Sequence, residues 1–419
     1  MMPEGTQTKK AVLYLQVLHN RTLMVLWSGT AVSLIGDTLF NLAITWTVYT
    51  QSGSALQTAF IQVVWHLPGV LFGLLAGSLA DHQNRKHIMI IVSLLNALVV
   101  GILAAALFAW GRVSSLGIFV TAFCLNSLYT FYGPASFSLM PEVIGRELFV
   151  TASGMFTVIR QITELLGNVL AGVLIAVMGM AWAVGFDALS FLIAALSIAL
   201  VRLPGRKIQP TSRLSEHSLS LMGDIVDGWH ALAAQPVVWS VIWLSLLINV
   251  ASFLGPLTPA LVQQRLHGNA VVFGQLEAVS IVSMMVGGAL VGPLERRVGA
   301  GHLLVIGWCL AGLCTLGIAF STVFFVTATL NAISAFGVIT GDVAMGALMA
   351  LLIPENYRGR ASGITRALSV IAIPLSSLAG GWLTDRIGVE PLFIIGGAWM
   401  IGVAALAYAN RHVRTARTL

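Results

Sequence analysis

The sequence predicts an all-α integral membrane protein whose twelve transmembrane helices form two pseudo-symmetric lobes of six. Three observations support this fold class. Hydrophobic residues make up 57% of the 419 residues and charged residues only 9%, whereas about one-quarter of a soluble domain is charged. Apolar runs long enough to cross about 30 Å of hydrocarbon recur along the whole chain. Short motifs of the first half return in the same order in the second half.

The apolar runs are separated by glycines, prolines and charged residues, and they predict twelve spans. The first run is too long for a signal peptide, and no cleavage site of small residues follows it, so we expect it to be a helix. The spans cover residues 22–50, 55–80, 88–110, 115–140, 150–178, 181–203, 236–264, 270–294, 303–320, 322–353, 361–384 and 391–410.

The basic residues predict the orientation of the chain in the membrane. An even number of spans returns both termini to one side, and 17 of the 22 Lys and Arg residues fall on that side. An excess of Lys and Arg marks the cytoplasmic face. We therefore expect a multi-pass protein of the bacterial inner (cytoplasmic) membrane with both termini in the cytoplasm. The net charge of +6 then reflects topology and contact with anionic lipid, and it is no reason to expect a nucleic acid partner.

An internal repeat supports the two lobes. Pro141-Glu142 returns as Pro354-Glu355, and Ala152-Ser-Gly154 returns as Ala361-Ser-Gly363. Each half has the same number of spans in the same orientation, as in transporters that hold their substrate between two repeats near mid-membrane. The predicted domains are a six-helix lobe at residues 1–203, a cytoplasmic linker at 204–235 and a second six-helix lobe at 236–419.

The linker is the one long polar segment between spans. Its second part, LSLMGDIVDGWHALAAQP, places apolar residues at helical spacing, which predicts an amphipathic helix on the cytoplasmic surface or against the bundle. A plain connecting segment is the alternative interpretation.

One acidic residue lies deep in span 1. Asp37 follows the start of the span by about 14 residues, which is about 21 Å of helix. A carboxylate near the bilayer centre costs at least about 2.5 to 3.5 kcal/mol even on lenient scales, so Asp37 is a candidate functional residue. Ser33, Asp37, Asn41 and Thr45 recur every four residues, which predicts one polar face along the wall of a water-filled cavity.

Span 5 carries a second polar stripe, in which Arg160 lies one turn before Glu164. Spans 1 and 5 belong to the same predicted lobe, so Arg160 could pair with either Asp37 or Glu164. We hypothesise a cluster of these three residues in which protonation of one acid frees the arginine. A static buried ion pair that fixes helix packing is the alternative. The stripe consists of Thr157, Gln161, Glu164 and Asn168.

Three other acids fall within predicted spans. Asp342 lies near the middle of span 10, so it is a second coupling candidate or a substrate contact. Glu277 and Asp187 lie only about seven residues from the outer ends of their spans, where interfacial solvation weakens the case for a functional role. We expect Asp187 to be structural.

The loop after span 2 reads GSLADHQNRKH (77–87). Asp81 follows the end of a helix, where the backbone carbonyls already present negative charge, so this acid needs a partner. One candidate is Arg85, with Asn84 in a left-handed turn conformation that folds the loop back. The other is the N-terminal end of a helix of the opposite lobe that follows Arg358-Gly-Arg360, a contact that would close the cytoplasmic side in one state.

This loop resembles the signature G-x-L-A-D-R-x-G-R-K of the major facilitator superfamily, with His82 and Asn84 in place of the family's Arg and Gly. The chain is most similar to the branch of macrolide efflux pumps and enterobactin-type siderophore exporters, and the resemblance covers essentially the whole chain. Its further supports are SLIGD (33–37), Arg160-Gln161, DALSF (187–191) and DGWHALAAQP before span 7. The predicted cytoplasmic gate motif comprises Gly77, Asp81, Arg85, Lys86, Arg358 and Arg360, in which Lys86 is assigned to topology.

Two features depart from the drug antiporters of the superfamily. Those proteins often carry an Arg in span 4, but CLNSLYTFYGPASF (124–137) contains none. Their span 5 usually has a Gly-Pro pair, whereas this chain reads GNVLAG with Asn168 at the proline position.

Glycines of span 2 and span 8 predict close helix packing that would allow the lobes to rock. They are Gly69, Gly73 and Gly77, and Gly287, Gly288 and Gly292.

These observations predict a proton-coupled secondary active exporter of amphipathic small molecules, such as drugs or siderophores, that works by alternating access. An uptake symporter or facilitator and a lysophospholipid flippase remain alternatives, because one fold serves all three. An intramembrane enzyme or receptor is the remote alternative, because the sequence has neither metal-ligand spacing nor a GxSxG serine. We expect no cofactor, no resident metal and no enzyme activity. The expected partners are a small-molecule substrate, protons and the lipid bilayer, and we expect a monomer.

Overall fold

The tertiary structure is a computed structural model, which describes residues 13, 15–201, 236–353 and 355–414. Within these ranges the side chains at positions 74, 81, 146, 236, 237 and 355–362 are not described. The predicted amphipathic helix of the linker lies outside the described residues.

Twelve helices in the described ranges are long and apolar enough to cross a membrane. This confirms the predicted all-α, twelve-span fold, and α1 to α12 correspond to spans 1 to 12. The helices are α1 (Arg21–Ser52), α2 (Ala55–His82), α3 (Arg85–Trp110), α4 (Ser115–Ile144), α5 (Arg146–Met178), α6 (Met180–Leu200), α7a (Pro236–Val250) and α7b (Thr258–Gln264), α8 (Ala270–Val298), α9 (Ala300–Phe320), α10 (Phe324–Leu352), α11 (Glu355–Ile387) and α12 (Val389–Ala409).

Several helices extend beyond the predicted spans. α5 begins at Arg146 rather than at 150, and α11 begins at Glu355 rather than at 361. Hydrophobicity reports only the part of a helix that suits hydrocarbon, whereas backbone hydrogen bonding continues the helix into its polar flank. The predicted spans are therefore the membrane-embedded parts of longer helices.

Two glycines with the same backbone conformation separate equivalent helices of the two halves. Gly179 joins α5 to α6 with φ 86° and ψ 173°, and Gly388 joins α11 to α12 with φ 86° and ψ 172°. Glycine adopts this positive φ without the steric cost that a side chain would add. The two glycines are 209 positions apart, the same offset as Ala152 and Ala361, so the internal repeat extends to the backbone.

Span 7 is interrupted at its middle. Between α7a and α7b the chain forms a 3₁₀ helix, Ala251–Leu257, which contains Gly255 and Pro256. Proline has no backbone N–H to donate and disturbs the preceding turn, which explains the local change of helix type. Non-helical backbone at membrane depth is tolerated where it lines a cavity, and a cavity does adjoin this segment.

The described residues form two compact units. Residues up to Thr50 and residues from Val64 to 201 form the first unit, whereas Gln51–Val63 and the residues from 236 onward form the second. The start of α2 therefore groups with the second unit, which the predicted domain scheme did not anticipate. The scheme's boundaries at 203 and 236 stay predictions.

A carboxylate of α11 explains why the start of α2 belongs to the second unit. Asp385 accepts hydrogen bonds from Ser54 Oγ at 2.6 Å and from the backbone N–H groups of Ala55 at 2.6 Å and Leu56 at 3.2 Å. The first N–H groups of a helix lack intrahelical acceptors, and the helix dipole favours an anion there. Asp385 thus caps α2 from another helix.

In the first unit, α1 crosses α6 so closely that its crossing positions require glycine. A Cβ atom added at Gly29 would lie 2.3 Å from Ser197 Oγ, and one added at Gly36 would lie 2.3 Å from Ser190 Oγ. Small residues at such crossings let two helix backbones approach closely, which favours van der Waals packing and interhelical hydrogen bonds. This crossing sets the positions of the polar side chains that follow Gly36.

We expect Gly36→Ala to destabilise the protein by about 1 to 3 kcal/mol, because its methyl group would force Ser190 and α6 away from α1. The measurement is thermal unfolding in detergent, followed by circular dichroism. Gly101→Ala in α3 is the matched control, because a Cβ atom there would meet no atom within 4 Å. Equal unfolding temperatures for the two variants would contradict the close crossing.

Candidate functional site

The polar face predicted for α1 is present in the first unit. Ser33 is buried, and Asp37, Asn41 and Thr45 are half-buried. The Thr45 hydroxyl donates to the Asn41 carbonyl at 2.7 Å, so the helix itself satisfies it. The side chains of Asp37 and Asn41 make no hydrogen bond to another described residue. Asp37 and Asn41 therefore have bonding capacity left for water, a proton or a ligand.

α5 brings Arg160 near Asp37 without joining them. The guanidinium and the carboxyl interact electrostatically, but no ion pair within 4.0 Å links them in the described part of the chain. The alternative of a static buried ion pair is therefore not what the structure shows. Arg160 and Glu164 are both exposed. The role of Glu164 stays a prediction.

α6 contributes a carboxyl that the sequence analysis set aside. Asp187 is 0% exposed, its Oδ1 lies 3.3 Å from Ser190 Oγ, and its Oδ2 is buried without a hydrogen-bond partner. Asp187 interacts electrostatically with Asp37, and a Cβ atom at Gly36 would lie 2.6 Å from Asp187 Oδ1. Two carboxyls that interact electrostatically therefore lie near the crossing of α1 and α6.

The expectation that interfacial water solvates Asp187 is wrong. Counting residues from a helix end estimates depth along the helix, but it does not show that α1 covers the side chain from the side. Two signals in the sequence point to this site. DALSF places Ser190 three residues after Asp187, within reach on one helix face, and SLIGD places Gly36 directly before Asp37.

The second unit contains a cavity of about 310 Å³ beside the interruption of span 7. Its wall is formed by α8, α9, α10 and α12 together with the α7a, 3₁₀ and α7b segments. Leu254, Leu276, Met284 and Phe393 are among its apolar lining residues. The polar lining residues are Asn249, Ser252, Thr258, Glu277, Ser280, Thr315, Thr327, Asn331, Ser334 and Asp342.

Both acids that line this cavity were noted in the sequence. Asp342 Oδ1 accepts a hydrogen bond from Trp308 Nε1 at 3.3 Å, which orients the carboxyl. Glu277, expected to be interfacial and weakly placed, lines the same cavity as Asp342. Asn331 also lines the cavity, and its Nδ2 donates to Ser280 Oγ at 2.7 Å and to the Leu276 carbonyl at 3.1 Å. The cavity is therefore a built polar site.

The loop after α2 differs from its prediction in one respect. Asn84 has φ −69° and ψ 110°, so it is extended rather than left-handed, and its side chain accepts from the N–H groups of Lys86 and His87. It is the N-cap of α3. The predicted left-handed turn is wrong because the free N–H groups at the start of α3 hold the asparagine side chain in the capping geometry.

The two basic residues of the loop have defined partners in the first unit. Arg85 forms an ion pair with Glu142 and also donates to the Ser138 carbonyl at 3.1 Å. Lys86 Nζ donates to the carbonyls of Ala199 at 2.9 Å and Val201 at 2.7 Å. A cation suits the C-terminal end of a helix, so Lys86 caps α6 in addition to any effect on topology.

Three members of the gate motif cannot be compared with their prediction. The side chains of Asp81, Arg358 and Arg360 are not described, so both predicted partners of Asp81 stay predictions. No described residue lies within 4 Å of a Cβ atom added at Gly69, Gly73 or Gly77, so the predicted close packing of these glycines stays a prediction. The same holds for Gly288 and Gly292, whereas a Cβ atom at Gly287 would lie 2.5 Å from Ile339. A spacing of four residues places glycines on one face of a helix, but it does not show which helix packs against that face.

Comparisons with known proteins agree with this architecture. The chain is 23% identical over 392 residues to macrolide efflux protein A of Streptococcus pyogenes, covering 93% of this chain and 96% of that protein. It is 25% identical over 370 residues to the multidrug efflux pump Tap of Mycolicibacterium fortuitum, covering 86% of this chain and 88% of that protein.

Solved structures share the fold at low sequence identity. The nucleoside transporter NupG matches with a TM-score of 0.75 and 12% identity, covering 93% of this chain and 98% of that one. A bacterial homologue of the iron transporter ferroportin in an inward-facing state matches with a TM-score of 0.73 and 16% identity, at the same coverage.

The family described as transmembrane secretion effector matches residues 14–418, which is nearly the whole chain. The twelve spans, the two polar sites and the efflux proteins among its relatives are consistent with that match. The chain belongs to this family of major facilitator superfamily transporters and is not an enzyme.

Proposed function

We propose that the protein is a proton-coupled antiporter that exports amphipathic small molecules, among them drugs of the macrolide type, by alternating access. Export is supported by the similarity to two efflux proteins along most of each chain. The proposed location is the inner membrane of a bacterium, with both termini in the cytoplasm and a monomer as the working unit.

The proposal of proton coupling rests on one observation, the electrostatic interaction of Asp37 and Asp187 near the crossing of α1 and α6. Two adjacent carboxylates in a membrane-embedded site repel each other, so at most one of them carries a charge at a time. Asp187 is sealed from solvent, whereas Asp37 is only partly buried. Asp37 is therefore the carboxyl that exchanges a proton with water, and Asp187 stays protonated.

The hydrogen bonds around Asp187 agree with an uncharged carboxyl. The Ser190 hydroxyl has one proton, which it donates to the backbone carbonyl oxygen of Asp187 at 2.7 Å. The 3.3 Å contact between Ser190 Oγ and Asp187 Oδ1 then lacks a hydrogen unless the carboxyl supplies it. A buried carboxylate with an orphan oxygen would also be costly without a counter-ion.

A single exchanged proton suffices for efflux. A proton that moves through about 150 mV releases about 3.5 kcal/mol, which supports a concentration ratio of about 300. Arg160 lies close enough to Asp37 to interact with it, and its positive charge stabilises the carboxylate once the proton has left.

Asp37→Asn should abolish accumulation of a labelled macrolide in acid-interior everted membrane vesicles, because the asparagine side chain cannot release a proton. Asp187→Asn is the matched variant on the neighbouring helix, and we expect it to retain accumulation within about twofold, because asparagine imitates an uncharged carboxyl.

Addition of an ionophore that collapses the pH gradient should abolish wild-type accumulation in the same vesicles. Accumulation that survives the ionophore would argue against proton coupling as a whole. An Asp187→Asn protein that folds normally yet loses accumulation would show that both carboxyls exchange protons.

Substitutions of Arg160 test the role assigned to its charge. Arg160→Gln should lower uphill accumulation about tenfold or more, because the Asp37 carboxylate would lose its stabilising cation, while downhill equilibration of the macrolide continues. Arg160→Lys keeps the positive charge and should retain most of the accumulation. The measurement compares initial rates with and without a pH gradient, and equal losses in the two variants would contradict the electrostatic role.

A further inference from the structure

Asp342 is a carboxyl within a membrane span that the proposed coupling at Asp37 does not use. It lies on α10 and lines the cavity beside the interruption of span 7. Asp342 is exposed, whereas Asp187 of the first unit is 0% exposed. An acid within a membrane span is costly and is typically functional. The accessibility of Asp342 therefore separates it from the sealed acid of the first unit.

The cavity has the room and the hydrogen-bonding groups to hold water. Its volume of about 310 Å³ corresponds to about ten water molecules. Thr315 and Ser334 share a hydrogen bond of 3.1 Å, and Asn331 donates to Ser280 at 2.7 Å. All four side chains line the cavity, and their oxygen atoms can accept further hydrogen bonds. Water held there gives a proton a path to and from Asp342.

The surroundings of Asp342 suit both the charged and the uncharged carboxyl. Trp308 Nε1 of α9 donates to Asp342 Oδ1 at 3.3 Å, and a protonated carboxyl can still accept this bond. No Lys, Arg or His is among the described residues that line the cavity, so no cation of the lining holds Asp342 in the charged form. The lining residues from α7 and α12 are uncharged, and the one from α8 that titrates, Glu277, already interacts with another residue.

We propose that Asp342 is a second proton-exchanging residue, so that two protons enter for each molecule that the protein exports. The inference rests on the proposed function and adds its stoichiometry. Asp37 carries one proton in the first unit, and Asp342 carries the other in the second unit. Each carboxyl takes its proton from water on the outer side and releases it to water on the cytoplasmic side. Asp187 stays protonated and carries none.

The number of protons determines how steep a substrate gradient the pH gradient can sustain. Each exchanged proton raises the attainable concentration ratio about tenfold per pH unit, so two protons raise it about a hundredfold. The test uses proteoliposomes of the full-length protein with the membrane potential held at zero. It measures the pH gradient at which net transport of labelled erythromycin stops against a fixed, about hundredfold erythromycin gradient.

We expect net transport by the wild type to stop at a gradient of about one pH unit and by Asp342→Asn at about two, because asparagine exchanges no proton. Asp342→Glu keeps a carboxyl and should behave as the wild type. Glu295→Gln is the matched control, because Glu295 lies in a membrane-spanning helix of the same unit, α8, but does not line the cavity. Any ionisation of erythromycin itself affects the wild type and the variants alike.

Two outcomes would overturn the inference and leave proton coupling intact. One is a wild type whose transport stops at about two pH units, and the other is an Asp342→Asn protein whose transport still stops at about one. A stopping point that does not depend on the pH gradient, or no erythromycin transport at all, would count against the proposed function instead.

A second measurement uses the wild type and so does not depend on the folding of a variant. Dicyclohexylcarbodiimide modifies carboxyls in their protonated form, and mass spectrometry of the digested protein locates the modified residue. We expect modification of Asp342 to fall severalfold from acid to alkaline pH, because Asp342 loses its proton to the water of the cavity. This measurement needs neither erythromycin nor a gradient. Modification that does not change with pH, or none at Asp342, would overturn the inference.

Discussion

The backbone polar groups of the membrane-spanning segments must find their partners inside the protein, because the surrounding hydrocarbon offers none. This constraint explains why the described spans are helices, in which the backbone satisfies itself except at the ends. Two of these ends are satisfied by side chains from elsewhere in the same unit. Asp385 of α11 accepts from the first N–H groups of α2, and Lys86 donates to the last carbonyls of α6. These contacts use oppositely charged residues at opposite helix ends, as the helix dipole requires.

The same constraint distinguishes the acids within the membrane. Asp187 is sealed by α1 and has one hydroxyl neighbour, which favours an uncharged form. Asp37 keeps partial access and the electrostatic influence of Arg160, which favours exchange between two forms. Asp342 and Glu277 line a cavity of the second unit large enough to admit a ligand. Four acids of similar chemistry thus have three different environments, and the environments determine the proposed roles.

The fold does not decide the direction or the cargo of transport. The chain shares its architecture with a nucleoside transporter at a TM-score of 0.75 and with a ferroportin homologue at 0.73. Both identities are below 20%, so these likenesses show the fold alone. Function has to be argued from sites. Here the argument for coupling comes from the α1 and α6 carboxyls.

Length, hydrophobicity and glycine placement in the sequence determined the twelve helices, because crossing hydrocarbon depends on the local apolar length of the chain. They also singled out Asp37, Asn41, Arg160 and Asp342, because a charged or polar residue within an apolar run can be recognised without knowing which residues it contacts. Only the tertiary structure decided which groups meet. It joined Arg85 to Glu142, placed Asn84 as an N-cap, brought Glu277 and Asp342 to one cavity, and covered Asp187 with the glycine face of α1. Spacing along a chain reports one helix face at a time, whereas a contact between helices depends on how two faces approach, and that approach is set by the packing of both.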